Sequence, residues 1–159
     1  MRTLRAVAVL LILGAGPAVA EAPLWTVDTK SSRITFAAKQ MQVTIPGRFA
    51  QFTATIRFDP DDLPGSKVMI DIDVASVSTP NRDIEAEIKR EPWFDVARHP
   101  TARFETTAFT RKGDGRYDAA GRFTLRGVTE AITLPVTIRI VDDPDQPGSL
   151  RPRPAAMSA

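Results

Sequence analysis

The stretch GRFAQFTATIRFD, residues Gly47–Asp59, decides the fold class. Phe52, Ala54, Ile56 and Phe58 occupy every second position, and Gln51, Thr53, Thr55 and Arg57 fill the places between them. Successive side chains of an extended strand point to opposite faces, so this spacing makes one apolar face and one wet face. Strands of a parallel sheet are covered on both sides and read as continuous apolar runs. The alternation therefore indicates antiparallel structure.

The same period recurs outward from this stretch. In SKVMIDIDVASV (66–77), Val68, Ile70, Ile72 and Val74 oppose Asp71 and Asp73. In RYDAAGRFTLRG (116–127), Tyr117, Ala119, Phe123 and Leu125 oppose Asp118, Arg122, Thr124 and Arg126. In EAITLPVTIRIV (130–141), Ile132, Leu134, Val136, Ile138 and Ile140 oppose Thr133, Thr137 and Arg139. Ile34 and Phe36, then Ala102 and Phe104, mark two shorter runs. Turn residues separate the runs: Asp59-Pro60-Asp61-Asp62, Pro64-Gly65, Asp114-Gly115 and Gly127. Such spacing fits a meander, an up-and-down barrel or a sandwich.

One segment breaks the alternation, EIKREPWFDVARHPTARF, residues 87–104. The residues before it predict a short helix from Pro80 to about Arg90, with Thr79 as N-cap and Pro80 at the first helical position. Ile84 and Ile88 share one helix face, Glu85 and Lys89 make an i,i+4 pair, and Pro92 ends the helix. Trp93 and Phe94 follow directly, and adjacent residues enter one core only where the backbone turns. Ile84, Ile88, Trp93 and Phe94 are therefore expected to form a lid or rim.

Residues 1–20 read as a cleavable secretory signal: Arg2 and Arg5, the apolar run AVAVLLILGAG, and Ala18-Val19-Ala20 as the cleavage site. Cleavage after Ala20 implies an exported chain, compatible with a bacterial periplasm. It also cancels the apparent basicity, because removing two arginines from 21 Lys+Arg leaves 19, equal to the 19 Asp+Glu. A neutral chain without a basic, aromatic-interleaved stripe gives no case for nucleic acid. Cysteine is absent, which rules out disulfides and thiol chemistry.

Catalysis finds little to work with. His99 is the only histidine, no serine sits in a nucleophile elbow, and Asp59, Asp61 and Asp62 lack calcium-loop spacing. We expect no enzyme activity, no metal and no cofactor. What remains is apolar concavity. If the strands close into a small barrel, the alternating faces point inward, and such a barrel either fills itself or holds one slim ligand. Periodicity does not choose between the two, though small residues at Ala54, Ala102, Ala108, Ala119 and Gly121 favour a hollow. The expected inner wall is Phe36, Phe52, Ala54, Ile56, Phe58, Ile70, Ile72, Val74, Phe104, Phe123, Leu125, Leu134 and Val136.

The segments LWTVDTKSSRITFAAKQ, GRFAQFTATIRFDPDD, DIDVASVST, IKREPWFDVARHPTARFE and GRFTLRGVTEAITLPV, taken in order, resemble the YceI-like family of bacterial periplasmic lipid-binding proteins. The resemblance runs from about Leu24 to Val141. It implies an all-β, antiparallel, lipocalin-like up-and-down barrel over residues 21–141, holding a long isoprenoid such as a polyprenyl or quinone-type lipid. It also implies a membrane cytochrome as a partner of some relatives. Members usually continue with at least two more strands, whereas residues 142–159 form a proline-rich tail in which only Ser149–Arg151 is expected to extend briefly. A shortened C-terminus and an incomplete barrel follow as expectations. Two other functions remain open at this stage: an interaction module that pairs through exposed sheet edges, and a non-functional remnant.

Overall fold

The computed structural model describes residues 21–40, 42–142 and 150–153. The segment read as a secretory signal, 1–20, lies outside the described residues. Among the described residues eleven strands form three antiparallel sheets, with one α-helix beside them. The strands are β1 (Leu24–Trp25), β2 (Ile34–Gln40), β3 (Val43–Phe49), β4 (Phe52–Arg57), β5 (Lys67–Asp73), β6 (Val77–Ser78), β7 (Thr101–Gly113), β8 (Arg116–Leu125), β9 (Val128–Thr137), β10 (Arg139–Asp142) and β11 (Leu150–Arg153). The orders are β1-β4-β5-β7-β8-β9, β2-β3-β6 and β10-β11.

The first two sheets are one curled meander bent along a line. In the stretch that decided the fold, Phe49 and Phe52 are three residues apart, and uninterrupted alternation would send them to opposite faces. The strand instead breaks at Ala50-Gln51, both exposed, and both rings pack on the cluster of Ile72, Val74 and Ala102. The neighbouring strand slips in the same place. Asp73 caps a 3-10 turn over Val74–Ser76, and Val74 and Val77, also three apart, are 0% and 2% exposed. Cross-links pin the two breaks together: Ala50 N–H donates to the Ser76 carbonyl at 3.1 Å, Gln51 N–H to Ser76 Oγ at 2.9 Å, and Asp73 N–H to the Gln51 carbonyl at 3.0 Å. Two matched phase slips thus turn both strands while keeping their apolar sides in one core.

Tight hairpins join the long strands. Asp114 and Gly115 carry φ of 53° and 71°, as the sequence pair predicts for a turn that matches strand twist. Arg126 and Gly127, at 51° and 72°, repeat that geometry between β8 and β9. A bulge at Thr107 lets Thr106 pair with Gly121 while Ala108 pairs with Ala120. The extra residue turns Ala108 outward, against its expected inward place, and brings Phe109 in.

The helix α1 is Arg82–Ile88, shorter than predicted. Its cap is Asn81, whose side chain accepts from the Asp83 and Ile84 N–H groups; Thr79 and Pro80 precede it. Asn81 wins because its carboxamide oxygen reaches two unsatisfied first-turn donors at once. The expected Glu85–Lys89 pair is present at 3.4 Å. After Pro92 the chain doubles back, and Phe94, Asp95 and Val96 donate their N–H groups to the carbonyls of Ile88, Arg90 and Lys89. Asp95, at φ 49°, makes that reversal.

Among the described residues the sheets do not close into a barrel: β9 and β2 each have one side without a strand partner. The prolines do not prevent extension at the far end. Leu150–Arg153 pairs with Arg139–Asp142, and Pro152 stands opposite Ile140 in a two-stranded ribbon, where an edge strand tolerates a missing N–H.

Candidate functional site: the inner face of the curled sheet

Cross-strand register assembles the inner face row by row. Ala54, Ile70, Phe104, Phe123 and Glu130 are successive partners across β4, β5, β7, β8 and β9. Phe52, Ile72 and Ala102 form the row on one side; Thr106, Gly121 and Ile132 form part of the row on the other. Phe109, Ala119 and Leu134 follow, then Tyr117 with Val136. Burial alternates with this register, most clearly in β7, where Ala102, Phe104 and Thr106 are buried and Thr101, Arg103 and Glu105 exposed.

The two ends of the wall are packed with aromatics. At one end Phe58, just past β4, is 2% exposed, and its ring meets Phe109 at 5.4 Å and Tyr117 at 5.2 Å, both edge-on. Trp25 Nε1 donates to the Phe58 carbonyl at 2.8 Å, Arg111 lies over the Tyr117 ring, and its guanidinium donates to the Pro60 carbonyl. At the other end Phe36, Phe49 and Phe94 form a triangle with centroid separations of 5.1, 5.9 and 5.9 Å. The chain reversal after α1 thus sends Phe94 into the core, and Trp93 is left half-buried. Ile88 is buried and Ile84 half-buried.

Between the ends the wall is thinner. Ala54, Ile56, Ile70, Phe123, Leu125, Leu134 and Val136 are only half-buried, so their inner faces lack full protein cover. Ile72, Val74 and Phe104 are buried and serve as core. Gly121 opens no hollow: the Phe104 ring lies across it, 2.7 Å from where a Cβ would stand. Phe36 covers Gly47 in the same way.

The sequence reading missed Phe49, hidden by the phase slip, and Glu130. Glu130 is the one carboxylate among the described inner-face partners named above; it stands beside Phe123 on the edge strand β9 and is exposed. Its alternation with Ile132 was readable. Ion pairs gather on the opposite face. Arg103 grips Asp71 through two bonds of 2.6 and 3.0 Å, and this pairing raises the guanidinium pKa further. Arg122 meets Glu105 at 3.6 Å and Lys112 meets Asp118 at 2.9 Å. An open depression of about 1010 Å³ lies at the sheet bend, bordered by Lys30, Arg33, Arg48, Phe52, Asp71 and Asp73. Phe49, Phe52 and Ile72 line it beside these charged groups, so it adjoins the apolar wall at the bend.

His99 is half-buried and covers Gly127 in the β8–β9 turn. No nucleophile–base pair forms around it among the described hydrogen bonds. The wall offers dispersion and apolar burial, with Glu130 as its single charged element.

Known proteins share this architecture. A crystal structure of BcnA from Burkholderia cenocepacia superposes with a TM-score of 0.68 at 32% identity, covering 72% of each chain. A Campylobacter jejuni YceI protein superposes at 0.60 with 24% identity, covering 76% of this chain and 72% of its own, a likeness of fold. These neighbours are lipocalin-like barrels, the closed form of the curl seen here. A UPF0312 protein of Vibrio vulnificus is 31% identical over 128 residues, 79% of this chain and 68% of its own length. One from Vibrio cholerae is 28% identical over 136 residues, 84% and 71%. The family model for the YceI-like domain matches residues 25–152, and the chain belongs to that family.

Proposed function

We propose that the chain is a periplasmic carrier or sequestering protein for a long isoprenoid lipid, of the polyprenyl or quinone type, held against the inner face. The observation that carries the reading is the half-buried aliphatic strip from Ala54, Ile56 and Ile70 to Leu134 and Val136, capped at both ends by aromatics. A flexible hydrocarbon suits such a strip because it needs area and no fixed polar partners. Burying about ten methylenes is worth roughly 8 kcal/mol before ordering costs. Membership of the YceI-like family supports a binding role, and the small-x-small motif ending at Ala20 supports secretion.

Native mass spectrometry of protein isolated from cells without delipidation tests the reading. Bound mass that dissociates into an extractable isoprenoid is the expected result. A spectrum of the bare chain alone, from folded protein, would sink it.

A further inference from the structure

We propose that the β2–β3 hairpin is a docking arm for an anionic lipid surface. Between Asp28 and Asp59 the chain has no acidic residue but five cations, Lys30, Arg33, Lys39, Arg48 and Arg57, in a molecule whose residues 21–159 balance at 19 Lys+Arg against 19 Asp+Glu only with this segment included. Arg57 meets Glu21 at 3.3 Å. Lys30, Arg33, Lys39 and Arg48 have no ion pair among the described residues; Lys67, Arg82, Arg111 and Arg126 also lack one but lie scattered along the chain, whereas these four fall in one acid-free segment.

Geometry makes these charges a surface. Arg48 stands opposite Thr35, and Arg33, Thr35 and Lys39 share its exposed face. Lys30 joins Arg33 and Arg48 around the depression at the bend. Two acids border it, but Asp71 is held by Arg103 and Asp73 Oδ1 accepts from Ala75 N–H at 2.9 Å. Asp28, one turn away, accepts from the N–H groups of Lys30 and Ser31. The hairpin also projects: β6 pairs with β3 only at Arg48 and Phe49, so from Ala37 to Gly47 the two strands pair with each other alone among the described residues. Near its tip Val43 is 62% exposed.

Cations without internal partners call for an external anion, and an exposed aliphatic residue beside them favours a bilayer over a purely polar partner. An acidic protein is the competing occupant. The inference goes beyond the cargo reading and does not depend on it, because docking is read from cosedimentation with vesicles whether or not the inner face carries a lipid.

The test is cosedimentation of the protein, as isolated from cells, with vesicles of phosphatidylglycerol and phosphatidylethanolamine or of phosphatidylcholine alone. Binding to the anionic vesicles only, reversed by high salt, is expected. Lys39→Glu with Arg48→Glu should lower that binding at least about tenfold. Lys67→Glu with Arg82→Glu, an equal charge change at unpaired cations elsewhere, should alter it less than about twofold. Val43→Cys, unique in a chain without cysteine, should brighten an environment-sensitive dye on the anionic vesicles. Equal binding to neutral vesicles, equal loss in the two double variants, or a dye signal that does not change each overturns the proposal. So does no binding to either vesicle, which leaves an acidic protein as the complement.

Discussion

The His99 imidazole lies across Gly127, so that a Cβ added to the glycine would stand 3.1 Å from His99 Cε1. This joins two segments 28 positions apart: the His99-Pro100 entry to β7 closes over the turn between β8 and β9. Gly127 also carries φ of 72°, which disfavours any side chain. Gly127→Ala should destabilise the fold by about 1–3 kcal/mol in urea melts. Adding His99→Ala should restore the steric part of that loss and leave the backbone part. Full restoration would mean the positive φ costs nothing here.

Phe94 and Trp93 should differ sharply when truncated. Phe94 meets both Phe36 and Phe49, so Phe94→Ala should cost about 2–4 kcal/mol. Trp93→Ala, at a half-buried position outside that triangle, should cost less despite removing more atoms. Thermal denaturation of the two variants ranks them; the reverse order would place the wrong aromatic in the core.

Adjacent residues on β5 test the face assignment. Ile72→Asp buries an unpaired carboxylate in the central cluster and should cost at least about 3 kcal/mol. Ile56→Asp and Leu125→Asp, half-buried, should be milder. Asp71→Ala removes a surface pair whose arginine is half exposed, and its effect should stay within about 1 kcal/mol.

Glu85 gives the fold a pH signature. Its carboxylate accepts from the Thr79 N–H and faces Lys89, and these contacts hold its pKa below the ordinary glutamate value. A depressed folded-state pKa contributes stability that is complete above the unfolded value, about 4.3, and is lost as pH falls through the folded one. Glu85→Gln should therefore lower the melting temperature at pH 7 and have a fading effect toward pH 3. An effect that grows on acidification would contradict the contact.

Period-two spacing made the antiparallel class, the strand faces and the Asp114-Gly115 turn legible in the sequence. It failed where a strand slips phase. Phe49 and Phe52 look opposed and Val74 looks like the end of β5, because no local residue announces that Ala50-Gln51 and Val74–Ser76 bend together. The Thr107 bulge hid the turn of Ala108 in the same way. Pro80 and Thr79 outbid Asn81 as helix-start signals, although the carboxamide two positions before Asp83 was in plain view. The inner wall was readable as a list of alternating apolar residues. Its division into packed ends and a thinner middle depends on ring-to-ring contacts between distant strands, which spacing cannot express.

The central claim is that the alternating residues of the curled sheet hold a hydrocarbon chain. A photoactivatable polyprenyl probe, crosslinked to the protein and mapped by peptide mass spectrometry, tests it directly. Adducts at Ala54, Ile56, Ile70, Leu134 or Val136, with Thr53, Thr55, Met69, Asp71 and Thr133 unmodified, are the expected result. Labelling of both sets alike, or of the outward set alone, would contradict the account.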